Sequence, residues 1–189
     1  GYDGYAAAFA DVDRDGLLDV FYAGRLFKNY GNMQFGVINS SCGLDNLSFV
    51  AHAAFGDIDN DYDPDLFIAR QGGPAALFEN DGTGHFTEIT YNIEGSPYGL
   101  CGSFGDIDND GDLDLFVSYS NRMYVNDGNG YFSLHPDANT YSRYTRGSVL
   151  ADFDNDGDLD LVLANEDGSS TYHENDGNGV FTDVTAEVG

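Results

Sequence analysis

The sequence predicts an all-β fold: a β-propeller built of four-stranded antiparallel blades, with four repeats in this chain. Three observations carry that prediction. An acidic nine-residue loop occurs four times, starting at Asp11, Asp57, Asp106 and Asp152, with spacings of 46, 49 and 46 residues. An asparagine turn follows every loop, at Asn29-Tyr30-Gly31, Asn80-Asp81-Gly82, Asn126-Asp127-Gly128 and Asn175-Asp176-Gly177. The segments between these landmarks are short, apolar and without helical periodicity. Two landmarks in fixed order at a period of 40–50 residues mark a repeat of four-stranded units, the pattern of a propeller blade. The 189 residues are read as a single repeat domain with blades at approximately 1–38, 39–90, 91–135 and 136–189.

Within each unit the first strand is small and apolar, as in Ala6-Ala7-Ala8-Phe9, His52-Ala53-Ala54-Phe55, Gly102-Ser103-Phe104 and Gly147-Ser148-Val149-Leu150. Such side chains suit the crowded inner position of a radial array. The second strands, Val20-Phe21-Tyr22, Leu66-Phe67-Ile68, Leu115-Phe116-Val117 and Leu161-Val162-Leu163, are continuous apolar runs, which implies burial on both faces. The third strand ends at the asparagine turn, whose residues tolerate positive φ. The fourth alternates, as in Phe86-Thr87-Glu88-Ile89 and Phe181-Thr182-Asp183-Val184. No helix is predicted.

The acidic loops carry the chemistry. Their odd positions are Asp11, Asp13, Asp15, Leu17 and Asp19; Asp57, Asp59, Asp61, Asp63 and Asp65; Asp106, Asp108, Asp110, Asp112 and Asp114; and Asp152, Asp154, Asp156, Asp158 and Asp160. Together they hold 19 of the 33 acidic residues, so the formal charge of -26 is concentrated in four places. Alternating carboxylates on a tight turn converge and repel unless a hard cation joins them. Calcium takes six to eight oxygen ligands and fits; magnesium, which keeps its waters and prefers few carboxylates, fits less well. Up to four calcium ions are expected. An EF-hand is excluded, because the twelfth position of the third loop is Val117 and the loop leads into a strand. Two loops depart from the pattern. Tyr62 takes the glycine position of the second, followed by Pro64, and Arg14 and Leu17 alter the first. The third and fourth sites are expected to be the most regular and the second the least.

The acidic balance excludes nucleic acid as a partner, and no apolar run is long enough for a membrane-spanning helix. Cys42 and Cys101 are compatible with one disulfide or with two buried thiols. His52, His85, His135 and His173 are scattered without metal spacing or a nucleophile beside them, so no catalytic site is predicted. The linkers before the first strands hold Tyr98, Tyr141, Arg143, Tyr144 and Arg146. Their aromatics either pack blade on blade or read a partner, and the arginines are placed to pair with neighbouring acidic loops. Asn39-Ser40-Ser41 and Asn46-Leu47-Ser48 match the glycosylation sequon.

Phe55-Gly56-Asp57-Ile58-Asp59-Asn60-Asp61, Phe104-Gly105-Asp106 with its loop, Ala151-Asp152-Phe153-Asp154-Asn155-Asp156-Gly157 and Phe9-Ala10-Asp11-Val12-Asp13-Arg14-Asp15-Gly16 resemble the FG-GAP/VCBS repeat family, which includes integrin α-subunit propellers. The resemblance implies calcium in the hairpin between the first two strands of each blade. It implies a calcium-stabilised extracellular or cell-surface protein, structural or adhesive, whose partner is another protein or further copies of itself. Glycan binding through the linker tyrosines is the alternative, and a carbohydrate-active enzyme a more distant one. Four blades could close as a small ring, form part of a larger one, or assemble between chains.

Overall fold

The computed structural model describes residues 6–45, 47–136 and 144–188. It contains four antiparallel sheets of four strands, each in chain order. The first comprises β1 (Ala7–Ala10), β2 (Asp19–Tyr22), β3 (Arg25–Asn29) and β4 (Phe35–Val37). The second comprises β5 (Val50–Gly56), β6 (Asp65–Arg70), β7 (Ala76–Asn80) and β8 (Phe86–Glu88). The third comprises β9 (Gly102–Gly105), β10 (Asp114–Val117), β11 (Arg122–Asn126) and β12 (Phe132–Leu134). The fourth comprises β13 (Thr145–Ala151), β14 (Asp160–Asn165), β15 (Ser170–Asn175) and β16 (Phe181–Asp183).

Register repeats from sheet to sheet. The last aspartate of each loop pairs with the small residue ending the first strand: Asp19 with Ala10, Asp65 with Gly56, Asp114 with Gly105, Asp160 with Ala151. The sheets stack face on face with β1 beside β5, β5 beside β9 and β9 beside β13. Small residues on these strands permit the approach. A Cβ at Gly102 would enter the Phe67 ring, and one at Gly56 would stand 3.0 Å from Phe104. Second strands are buried on both faces where a sheet has a neighbour on either side: Phe67 of β6 joins a core shared with β10, while Ile68 joins one shared with β2.

Among the described residues, three such cores join the four sheets. Among the described residues nothing covers the outer face of the first sheet: Phe9 is 62%, Leu18 60% and Tyr22 53% exposed, whereas Ile68 and Val117, the counterparts of Tyr22, are fully buried. At the other end Phe153 is 42% exposed, although its counterparts Val12, Ile58 and Ile107 are buried.

One expectation is corrected, and one alternative left open by the sequence is decided. Helix is not wholly absent: among the described residues there are two short 3-10 turns, Asn39–Ser41 and Thr90–Asn92, and one α-turn, α1 (Thr185–Val188), after β16, where the Tyr172 N–H donates to the Thr185 hydroxyl at 2.9 Å. Cys42 and Cys101 are free, buried thiols, and burial raises the pKa of both.

Candidate metal centre

Each acidic loop turns by the same means. The residue at position 4 is left-handed, at φ +56° for Arg14, +64° for Asn60, +60° for Asn109 and +66° for Asn155, which explains the recurring asparagine. Position 6 is left-handed too. Glycine accepts this freely at Gly111 (φ +96°); Tyr62 is forced into it at φ +71° with its side chain 87% exposed. The Tyr62 N–H nevertheless donates to Asp57 Oδ2 at 3.0 Å, as the Gly111 N–H does to Asp106 at 3.1 Å. The second loop therefore keeps the turn in spite of Tyr62.

The carboxylates take three roles, and Asp114 and Asp160 share two of them. Those at positions 1 and 3 converge with one more: Asp11, Asp13 and Asp15 in the first loop, Asp57, Asp59 and Asp61 in the second, Asp106, Asp108 and Asp114 in the third, Asp152, Asp154 and Asp160 in the fourth. One oxygen from each member of a triad lies within 4.8 Å of the others. Burial and then the neighbouring carboxylates raise the pKa of Asp59 and Asp108. Asp13 Oδ1 and Asp108 Oδ1 are buried without a hydrogen-bond partner. Converging, partly desolvated carboxylate oxygens with unspent acceptors fit a hard divalent cation.

The position 9 aspartates, Asp19, Asp65, Asp114 and Asp160, are fully buried and hold the hairpin shut. In the third loop Asp114 accepts the Ile107 N–H on one oxygen and the Asn126 N–H on the other, both at 2.9 Å. The other three loops repeat this pair of bonds. Burial pushes the pKa of Asp65 and of Asp114 up to about 7 in spite of these bonds.

The carboxylates at position 7 turn toward the preceding sheet. Asn60 Nδ2 donates to Asp112 at 2.7 Å, and Asn109 Nδ2 donates to Asp158 at 2.7 Å. Arg14 and Asp63 form the equivalent ion pair at 2.5 Å. Position 4 of one loop thus clasps position 7 of the next. The landmark asparagines add a parallel bond, from Asn80 to the Val12 carbonyl, from Asn126 to that of Ile58 and from Asn175 to that of Ile107. The landmark glycine leaves room for the clasp, since a Cβ at Gly128 would stand 2.5 Å from Asp112 Oδ2.

Sequence reasoning missed these clasps, although one signal was present: Arg14 and Leu17 depart from the pattern at positions 4 and 7 of one loop, the two positions that the clasps use. It also missed Lys28, whose ammonium bonds Asp13 and lies 2.8 Å from Asp15. Burial opposes the Lys28 charge, but these two bonds outweigh it and raise its pKa. The bond from Lys28 lowers that of Asp15. The corresponding residues of the other sheets are Glu79, Val125 and Glu174, so none of them can supply an ammonium group from this position.

Other candidate residues are dispersed. His52 lies on β5 and His173 on β15, each with its pKa lowered by burial. His85 directly precedes β8 of the second sheet and His135 directly follows β12 of the third. Arg146 pairs with Glu166 at 2.5 Å, at the strand ends opposite the acidic loops, and so does not join a loop as expected. The Asn39 amide is engaged by the Leu26 N–H and by the Gly24 and Leu44 carbonyls, a structural use of the first sequon. Asn46, Tyr141 and Arg143 lie outside the described residues.

The FG-GAP-like repeat model matches residues 57–117, 118–163 and 152–189. The chain belongs to this family of repeat proteins. A search of curated protein sequences gave no match. Among solved structures, the chain is similar to BBS1N, in the crystal structure of its complex with ARL6DN soaked with lead, at a TM-score of 0.60 and 12% identity over 96% of this chain and 56% of that one. It is also similar to the V. cholerae biofilm matrix protein Bap1, at a TM-score of 0.51 and 16% identity over 95% of this chain and 28% of that one. The chain thus spans about half and about a quarter of the lengths of these two neighbours, and the likeness is one of fold.

Proposed function

We propose that this is a calcium-stabilised extracellular scaffold protein, adhesive or assembly-forming, that associates through the end faces of its sheet stack. The observation that carries the reading is the uncovered face of the first sheet. Tyr22 stands at a position that the other sheets bury, and Phe9 and Leu18 stand at positions that the other sheets half-bury. Burying one such side chain is worth about 1.5–3 kcal/mol, so a second sheet of the same kind gains substantially by covering them. A further copy of this chain, presenting the Phe153 face of its fourth sheet, is the occupant we favour. Calcium supports such contact by neutralising loops that otherwise repel one another, and its binding free energy adds to that of folding. Assignment to the extracellular space rests on the same chemistry, since open carboxylate sites of this kind suit compartments rich in calcium. No catalytic role is included in the reading.

Sedimentation velocity across a concentration series, with calcium and with chelator, tests it. Species larger than the 20.4 kDa chain are expected with calcium, reduced by Phe9→Glu combined with Tyr22→Glu. A monomer at all concentrations in calcium rejects the reading.

A further inference from the structure

At the strand ends opposite the acidic loops, a cleft of about 390 Å³ opens across the second, third and fourth sheets. Its walls include Arg70 at the end of β6, Tyr98 in the linker before β9, Tyr119 in the turn after β10, and the Arg146 and Glu166 pair. The volume lies within the ordinary range of small-ligand sites. We propose that this cleft binds a carboxylate-bearing saccharide, a uronate unit being the simplest case.

Four features support the assignment. The chain has only seven basic residues against 33 acidic ones, yet two arginines line this cleft. Arg70 lines the cleft and its Nε has no hydrogen-bond partner among the described residues, so its guanidinium is not already committed to an acceptor through that atom and can turn to a carboxylate. Tyr98 and Tyr119 are about half exposed, and Tyr119 packs on Tyr144 with ring centroids 5.1 Å apart. Supported aromatic faces of this kind take the apolar face of a sugar ring. The backbone of Tyr119 is left-handed at φ +71°, a conformation that is costly for a tyrosine. Local strain of this sort collects at ligand sites.

Charge decides the ligand class. Arg70, Arg146 and Glu166 sum to one positive charge, enough for one carboxylate but not for a phosphate backbone. The acidic loops do not cancel it. Asp65 and Arg70 stand at opposite ends of β6, about 17 Å apart at the usual rise of a strand. That is about two Debye lengths at physiological salt. Glu166 orients Arg146 and offers an acceptor for a sugar hydroxyl.

The test is calorimetric titration of the calcium-loaded full chain with a glucuronate-containing disaccharide, its neutral glucose counterpart, and a short glutamate peptide. Binding of the uronate is expected, about tenfold weaker in Arg70→Gln and in Arg146→Gln, the size of a lost charge-assisted bond. Tyr98→Ala should weaken it as well. Melting temperatures of the variants show that they are folded, and Tyr98→Ala, at an exposed position, keeps the test valid should Arg70→Gln unfold. Equal affinity for the neutral sugar overturns the carboxylate assignment, and tighter binding of the peptide overturns the saccharide. Affinity unchanged in all three variants overturns the location, and no binding of any probe overturns the proposal. None of these results depends on whether copies of the chain associate.

Discussion

In the third acidic loop Asp106, Asp108 and Asp114 converge with no side-chain cation bonded to them among the described residues, whereas in the first loop Lys28 sits against Asp13 and Asp15. The two loops share turn, hydrogen bonds and register. They differ in what is at hand to neutralise them: one leaves its carboxylates to a cation from solution, calcium in the reading proposed above, and the other is partly neutralised from within by Lys28. On that reading the same loop can be held shut by metal or by an ammonium group, and the four sites need not be equal.

The largest effect expected of this difference is on calcium-dependent stability. A site occupied at 100 to 1,000 times its dissociation constant adds about 3–4 kcal/mol. Asp106→Asn with Asp108→Asn should abolish one site by calorimetry and remove most of that gain, while leaving the chelated protein as stable or more so. Asp11→Asn with Asp13→Asn should lose less than half as much. Equal losses would erase the distinction between the loops.

Next comes pH. Without metal, Asp65 and Asp114 hold their protons up to about 7, against an ordinary value of 3.8. Between those values the folded chain binds more protons than the unfolded one, so stability falls as pH rises through the window. In chelator the protein should melt several degrees higher at about pH 6 than at about pH 8. Calcium should reverse that order, because its ligands must be deprotonated. Melting curves in both buffers check this.

Lys28→Met sharpens the comparison from the other side. Chelated stability should fall by about 1 kcal/mol, while calorimetry should show tighter calcium binding at the first loop. The clasps provide a smaller contrast. Asn60→Ala and Asn109→Ala each lose a bond to the next loop, and should cost about 1 kcal/mol more than Asn155→Ala. All three alanines carry the same left-handed strain, so the difference in urea midpoints isolates the clasp. Last, Tyr62→Gly should stabilise the second loop by about 1 kcal/mol through relief of strain alone.

The sheets and loops were legible in the sequence because each rests on local chemistry repeated four times: turn residues, apolar strands and alternating carboxylates. The division of labour among those carboxylates was not. Asp112 and Asp114 look alike in sequence, yet one reaches Asn60 of another sheet and the other seals its own hairpin. Side-chain direction in a left-handed turn decides this, and no composition or spacing reports it. Lys28 was hidden because its partners lie thirteen and fifteen residues earlier, across a hairpin. The cleft at Arg70 gathers residues from three sheets, a convergence that only the stacking creates.

The clasp between successive loops has a consequence for how such a chain can grow. Each joint is written half in one repeat, at position 4, and half in the next, at position 7. Asparagine or arginine serves as the first half and aspartate as the second. A repeat copied in tandem carries both halves with it, so a sheet can be inserted among the last three without redesigning a joint. Leu17 makes the first repeat different: it can grip the repeat after it, but it offers no carboxylate to one placed ahead of it. The stack is modular in one direction only.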